Sequence, residues 1–579
     1  MRTILLLSAL AGIASAQTPD LILIHGKILT VDAKDSVVEA VAIAKNKIIA
    51  VGSSADIQRR SGPSTRTVDL HGLTATPGLI DTHGHFAEGG VEEMFHVVLS
   101  DIQRVSGAVD KVRERAAALK PGEWLLGAGW DEGKLAERRY LMASDLDRST
   151  PNNPVWLVHT TGHYGVANSY ALKLAHITAS TPDPPMGTID RDAEGRPTGV
   201  LKEAAMDLVT KLIPPTTPEQ WQRGILHSIE GLHREGMTAV KDAALKQPTW
   251  DAYREILKQN KLDIRVFVLW DSGHTLESAK ETLEVISKLP KPPDSLGDGL
   301  LLSGGAKIFM DGSGGGRTAW MKQPWNKNFT DVDTGNVGYP ATDPEVYRQM
   351  VRLFHQAGVH VGTHAVGDRA IDWVVDTYAE VLKEKPTHGL RHSIIHCNIP
   401  SDHAIDVMAS LQKQYDAGYP EAQPPFMWWI GDTYAGNFGH ERSLRLEPLK
   451  TWMAKGVRWA GGSDYFVTPY PARYGIWSSI DRETLKGVYG FHPFGAAEAI
   501  DVHTALRSYT AWAARQLFLE DRIGSIEPGK EADIAVWDKD LYSMPSPQIK
   551  NLKCEMTVFN GRIVYQDAAS SIAVHPALH

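Results

Sequence analysis

Cysteine is nearly absent: Cys397 and Cys554 are the only two in 579 residues. At most one disulfide is possible, and none is expected. Cys397 directly follows a histidine at a strand end, whereas Cys554 lies in a terminal sheet. Beyond the first sixteen residues no apolar run is long enough to read as a transmembrane helix, so the body of the chain is not expected to enter a membrane. No long basic run occurs either. The 60 Lys and Arg stand against 69 Asp and Glu, a net charge of −9, and nucleic acid is not an expected partner. That charge neither selects nor excludes a small neutral substrate. What remains is ordinary, with 42% apolar and 22% charged residues. This is the composition of a globular chain, long enough for one large domain plus a smaller one, or two to three domains.

The N-terminus reads as a targeting segment. Arg2 supplies a positive charge, residues 4–14 an apolar stretch, and Ala14-Ser15-Ala16 a small-residue cleavage site. A signal peptide over 1–16 is expected, with cleavage after Ala16 and a secreted or periplasmic product. Asn328-Phe329-Thr330 is an N-glycosylation acceptor, meaningful only in a eukaryotic secretory route.

The most informative stretch is Thr76-Pro77-Gly78-Leu79-Ile80-Asp81-Thr82-His83-Gly84-His85. Leu79 and Ile80 read as a buried strand, and two histidines follow at i and i+2. In extended backbone these project to one face, and imidazole suits zinc and related transition metals. Four later apolar strand-like runs end in a possible ligand: Lys307, His364, His396 and Asp464. Repeated strand-then-helix units argue for a parallel sheet or barrel. The later strands are expected near 237–242, 264–270, 300–310, 360–364, 392–397, 422–424 and 458–462. Between the first and second of the eight, residues 86–216 are too long for a structureless loop and are expected to form a subdomain over the mouth of the site. Strand-and-turn patterns also occupy both ends of the chain, with Asn560-Gly561 marking a hairpin.

The order His-x-His, Lys, His, His, Asp resembles the amidohydrolase superfamily. The words Gly127-Ala128-Gly129-Trp130-Asp131, Gly195-Arg196-Pro197-Thr198-Gly199, Thr363-His364-Ala365-Val366-Gly367-Asp368 and Gly462-Ser463-Asp464 are similar to its amidohydrolase-3-type branch, which includes N-substituted formamide deformylases. The resemblance implies a (β/α)₈ TIM-like barrel over 76–509. It also implies a small β-sandwich built from 17–75 together with 510–579. It further implies that Lys307 reacts with CO₂ to give a carbamate that bridges two metals. The bland alternative for Lys307 is a pair with Asp311.

Two imidazoles and a carboxylate, His83, His85 and Asp464, make a site for one divalent metal with an open position; His364 and His396 would hold a second. Two Zn²⁺ per chain are expected, with single-metal use an open alternative. Asp464 is the expected general base and then acid, a ligand, or both. His163, Trp130, Asp131 and Arg317 are candidate substrate contacts, and Gly312–Gly316 is expected to be a flexible lip. The leading reading is an exported hydrolase that cleaves a C–N bond in an amide, formamide or cyclic amide. Hydrolysis of an ester, lactone or carbamate, isomerisation by proton transfer, and a non-catalytic binding protein are the alternatives. The expected partner is a small molecule, with a homo-oligomer possible.

Overall fold

The computed structural model describes residues 17–326 and 335–575. The expected signal peptide and Asn328 lie outside the described residues. Eight parallel strands form the central sheet: β1 (Leu79–Gly84), β2 (Met237–Leu245), β3 (Arg265–Asp271), β4 (Leu301–Phe309), β5 (His360–Ala365), β6 (Ser393–His396), β7 (Tyr419–Ala422) and β8 (Ala460–Gly461). Each is hydrogen-bonded to the next in chain order. The sheet curls into a nearly closed TIM-like barrel. Helices such as Pro218–Arg234, Pro344–Gln356 and Asp368–Glu384 cover its outer face, so the strands are buried on both sides. Thr217 caps the first of these, accepting from Gln220 N while Gln220 reaches back to its backbone N–H.

The barrel closes between β1 and β8 without a regular ladder. Thr82 Oγ1 donates to Gly461 O at 3.0 Å, Ser463 N donates to the Asp81 carboxylate at 3.0 Å, and Asp464 N donates to His83 O at 2.7 Å. Gly462 is needed at this seam, because a Cβ there would stand 2.7 Å from His83 N. β7 begins three residues before its expected place. Its sequence, Tyr419-Pro420-Glu421-Ala422, carries a proline and a charge and does not read as a buried strand. The charge is accommodated because Glu421 pairs with Lys241 of β2 inside the barrel, both side chains fully buried.

Residues from both chain ends build two further sheets. One has five strands, with Ala573–His575 at the edge beside Arg66–Asp69. The other has six, with Ile534–Trp537 antiparallel to Thr74–Pro77. Asn560 and Gly561 both have positive φ, 49° and 76°, as a tight hairpin turn requires. The expected boundary at 510 moves, however. Helix Ala511–Gln516 and the residues after it pack Ala513, Leu517 and Ile523 against Ile80, Phe267 and Leu302 of the barrel strands. The segment therefore continues the barrel core and does not start the sandwich. Within the expected 86–216 insert, strands between Val97 and Glu203 build a six-stranded sheet of their own, in which Leu125–Trp130 and Val155–His159 pair in parallel, whereas helix Phe86–Phe95 sends Phe86 and Ala87 into the barrel core.

Arg265 of β3 ties the barrel to the C-terminal strands. Its Nε donates to Asp533 Oδ2 at 2.9 Å and its Nη2 lies 2.7 Å from Glu531 Oε2, all three residues being buried. Arg265→Leu leaves the buried Asp533 carboxylate without its cation, while Glu531 keeps Arg522 and Lys47, and is expected to destabilise the protein by about 3–5 kcal/mol, read as a lower midpoint in chemical denaturation.

Candidate metal centre and active site

The C-terminal ends of the barrel strands bring together all six predicted ligands. His83 is the last residue but one of β1, and His85 follows the strand as the residue before helix Phe86–Phe95. Asp464 Oδ1 lies 3.4 Å from His83 Nε2 and 3.4 Å from His85 Nε2, and Lys307 Nζ lies 3.2 Å from His83 Nε2. The rings of His83 and His396 are 5.2 Å apart, and those of His364 and His396 are 4.5 Å apart. His83, His396 and Asp464 can each offer a ligand atom, all within 4.8 Å of one another.

These side chains suit a divalent metal. Asp464 Oδ1 and His83 Nδ1 are buried and have no hydrogen-bond partner, although such atoms are ordinarily satisfied. Outward-facing nitrogens are anchored in the manner of metal-bound histidines. His364 Nε2 donates to Gly312 O at 3.0 Å and His396 Nδ1 to Gln423 Oε1 at 2.7 Å. The Gln423 amide is oriented by its own Nε2, which donates to Glu421 O at 3.0 Å. The second nitrogen of each ring is thereby left unprotonated. Burial pushes the His83 and His364 imidazoles well below their ordinary range and His396 to about 3, so these rings are neutral, the ligating form. Burial opposes ionisation of Asp464, but the His83 and His85 rings, each 3.4 Å from its Oδ1, outweigh it and hold the carboxyl well below its usual value. Burial pulls the Lys307 amine down to about 8 despite the nearby Asp464 and Glu421.

Lys307 is not paired with Asp311. That carboxylate accepts the backbone N–H groups of Val366, Gly367 and Trp320 at 2.9–3.0 Å and holds the loop after β5. Gly312–Gly316 is not a flexible lip either. It is buried, and Asn437 Nδ2 donates to Gly314 O and Gly315 O at 2.9 and 3.0 Å.

A narrow cleft opens onto the predicted ligands. Its polar wall includes Thr161, His163 and Ser313; its apolar wall includes Phe426, Tyr434 and Val467. His163 is thus at the site, its Nδ1 2.9 Å from Glu203 Oε2 and its ring 5.0 Å from that of His364. Trp130, Asp131 and Arg317 are elsewhere. Trp130 is buried in the subdomain with its indole N–H on Leu157 O, and Asp131 is engaged by Thr433 Oγ1 at 2.9 Å and Gly133 N. Arg317 is buried outside the cavity wall. Asp131, Glu132 and His159 also cluster, but the Tyr164 hydroxyl bonds both Glu132 and His159 and occupies that space. Sequence reasoning missed Glu203, Gln423, Thr161 and Tyr434. Thr161 lies two residues before His163, and Glu203 four residues beyond the word 195–199; Gln423 and Tyr434 have no local signal.

A family model described as "Amidohydrolase family" matches residues 66–565. The chain belongs to this family. An N-substituted formamide deformylase of Arthrobacter pascens is 28% identical, over 96% of this chain and all of that one. The Arabidopsis thaliana protein LONG AFTER FAR-RED 3 is 30% identical over 90% of this chain and 88% of its own length. Among solved structures, a metal-dependent hydrolase from Pyrococcus horikoshii superposes with a TM-score of 0.69 over 91% of this chain and 99% of that chain, at 24% identity. At that identity the likeness speaks to the fold.

His83→Ala in this amidohydrolase is expected to lower the divalent metal bound per chain, measured by elemental analysis. Gln423→Ala, which frees the His396 ring, is expected to weaken metal affinity about 10- to 100-fold in competition with a chromophoric chelator.

Proposed function

We propose that this amidohydrolase cleaves the carbon–nitrogen bond of a small amide, formamide or cyclic amide, with two divalent metals, zinc by preference. The observation that carries this reading is the convergence of His83, His85, His364 and His396 on the buried Asp464 carboxylate, whose Oδ1 has no hydrogen-bond partner. The formamide deformylase among the relatives supports the choice of bond. His83, His85 and Asp464 would hold one metal, and His364 and His396 the other. A metal held there supplies Lewis acidity and lowers the pKa of water.

The remaining work falls to the chain. Lys307, with its amine lowered to about 8, has a neutral fraction at neutral pH. The neutral nitrogen forms a bond to the carbon of CO₂ and loses a proton, which yields a carbamate with two oxygen donors. Asp464 takes a proton from the attacking water and hands it to the leaving nitrogen, which departs as a neutral amine. The apolar wall of Phe426, Tyr434 and Val467 excludes bulk water from this transfer.

Protein loaded with zinc and bicarbonate is expected to hold near two metals per chain and Lys307→Ala fewer, by elemental analysis. No turnover of any amide, formamide, ester or lactone by the loaded enzyme would overturn the assignment. Bicarbonate-dependent loading is expected to rise with pH and level off above about 8, because deprotonation of Lys307 precedes its reaction with CO₂. A pH-independent loading curve would count against the carbamate.

A further inference from the structure

One hydroxyl in the cavity wall has its hydrogen-bond direction set from behind. Thr161 N–H donates to His159 Nδ1 at 3.1 Å, so Nδ1 carries no proton and the ring keeps its proton on Nε2. That Nε2 faces the Tyr164 hydroxyl oxygen at 2.8 Å and Glu132 Oε2 at 3.2 Å, and Tyr164 O–H donates to Glu132 at 3.0 Å. The network is buried and its donors are consistent throughout: two converge on one carboxylate. The Thr161 hydroxyl lies 2.9 Å from the same Nδ1. Because Nδ1 is an acceptor, the Thr161 O–H is the donor. Its proton is committed to the wall, so Thr161, which lines the cavity, keeps only the Oγ1 lone pairs for any further hydrogen bond. The Thr161 methyl sits over Gly315, where a Cβ would be 2.8 Å from it, so the rotamer is held from that side as well. Ser313 has the opposite polarity. Its Oγ accepts from Gly316 N–H at 2.9 Å and keeps its own proton to donate.

We propose that Thr161 Oγ1 accepts a hydrogen bond from an N–H of the substrate, with His159 as the positioning residue that sets its direction. The site then favours amides that carry an N–H, whether primary, N-monosubstituted or cyclic, over esters, lactones and N,N-disubstituted amides. This inference rests on the proposed hydrolysis at the same site. A hydroxyl with only lone pairs to offer is unsatisfied beside an ester oxygen or an N-methyl group, and sites built to bond a substrate N–H discriminate strongly against analogues that lack it.

The test uses the zinc-loaded full chain with N-propylformamide, N-methyl-N-propylformamide and propyl formate. The readout is how kcat/KM for the first, relative to the other two, changes on mutation. Thr161→Val is expected to lower that ratio about 10- to 100-fold, whereas Thr161→Ser, which keeps the hydroxyl, preserves it. His159→Phe is expected to reproduce the selective loss; a merely structural role would lower all three rates together. A ratio unchanged in Thr161→Val, with N-propylformamide still hydrolysed, overturns the role of Thr161 and leaves the hydrolase reading standing. Wild-type turnover of propyl formate alone overturns both the N–H preference and the C–N reading, and no turnover of any probe does the same.

Discussion

Everything at the active site hangs on the seam where the last barrel strand meets the first. β8 is only two residues long and makes no regular ladder with β1. Its closure falls to the buried Asp81 carboxylate, which accepts N–H groups from His83 and Ser463 and so grips both strand ends at once. Burial raises Asp81 to about 7, against the lowering effect of those bonds. His83 and Asp464 are each within two residues of this clamp. Ligand positions from opposite ends of the barrel sequence are therefore set by one short hydrogen-bonded junction, and Gly462 permits the approach.

The interior beneath the ligands is unusually charged. Lys241 and Glu421 form a fully buried pair, and Lys307 stands above them beside His83. Charges in such surroundings are costly unless paired, and removal of one partner is generally more damaging than replacement of both. The ligand cluster is the complementary case. Asp464 Oδ1 and His83 Nδ1 are buried there without hydrogen-bond partners, and each such buried atom costs about 1–3 kcal/mol. A fold that carries this cost at one point of the interior is shaped for a cation there, since coordination would satisfy the same lone pairs.

The wall of the cleft is built from other parts. The barrel strands carry the His, Lys and Asp cluster, whereas the inserted segment places Thr161 and His163 beside it, and the helices after β7 place Phe426 and Tyr434. The His159–Tyr164–Glu132 network lies wholly within the subdomain, so the polarity of the cavity wall is set independently of the ligand cluster. Glu203 joins the layers: its carboxylate receives both His163 and the Thr318 hydroxyl, and its backbone sits at φ 49°, a strained value for this residue.

The sequence by itself determined the barrel and the six residues that meet at its mouth. A His-x-His pair at a strand end and four apolar runs ending in Lys, His, His and Asp are local patterns, and period-2 geometry is enough to aim each residue inward. Asn560-Gly561 was legible for the same reason, since its turn depends on two adjacent residues. Only the tertiary structure decided what surrounds those ligands. Trp130 and Asp131 read as site residues beside a glycine-rich word, but packing within the subdomain turned them away. Gly312–Gly316 read as mobile because glycine permits motion, yet Asn437, more than a hundred residues later, holds it. Gln423 and Thr161 gained their roles from partners such as His396 and His159, whose orientation depends on contacts that no window of sequence contains. Side-chain direction along a strand is a property of the backbone, whereas hydrogen-bond direction in a buried network belongs to the whole assembled core.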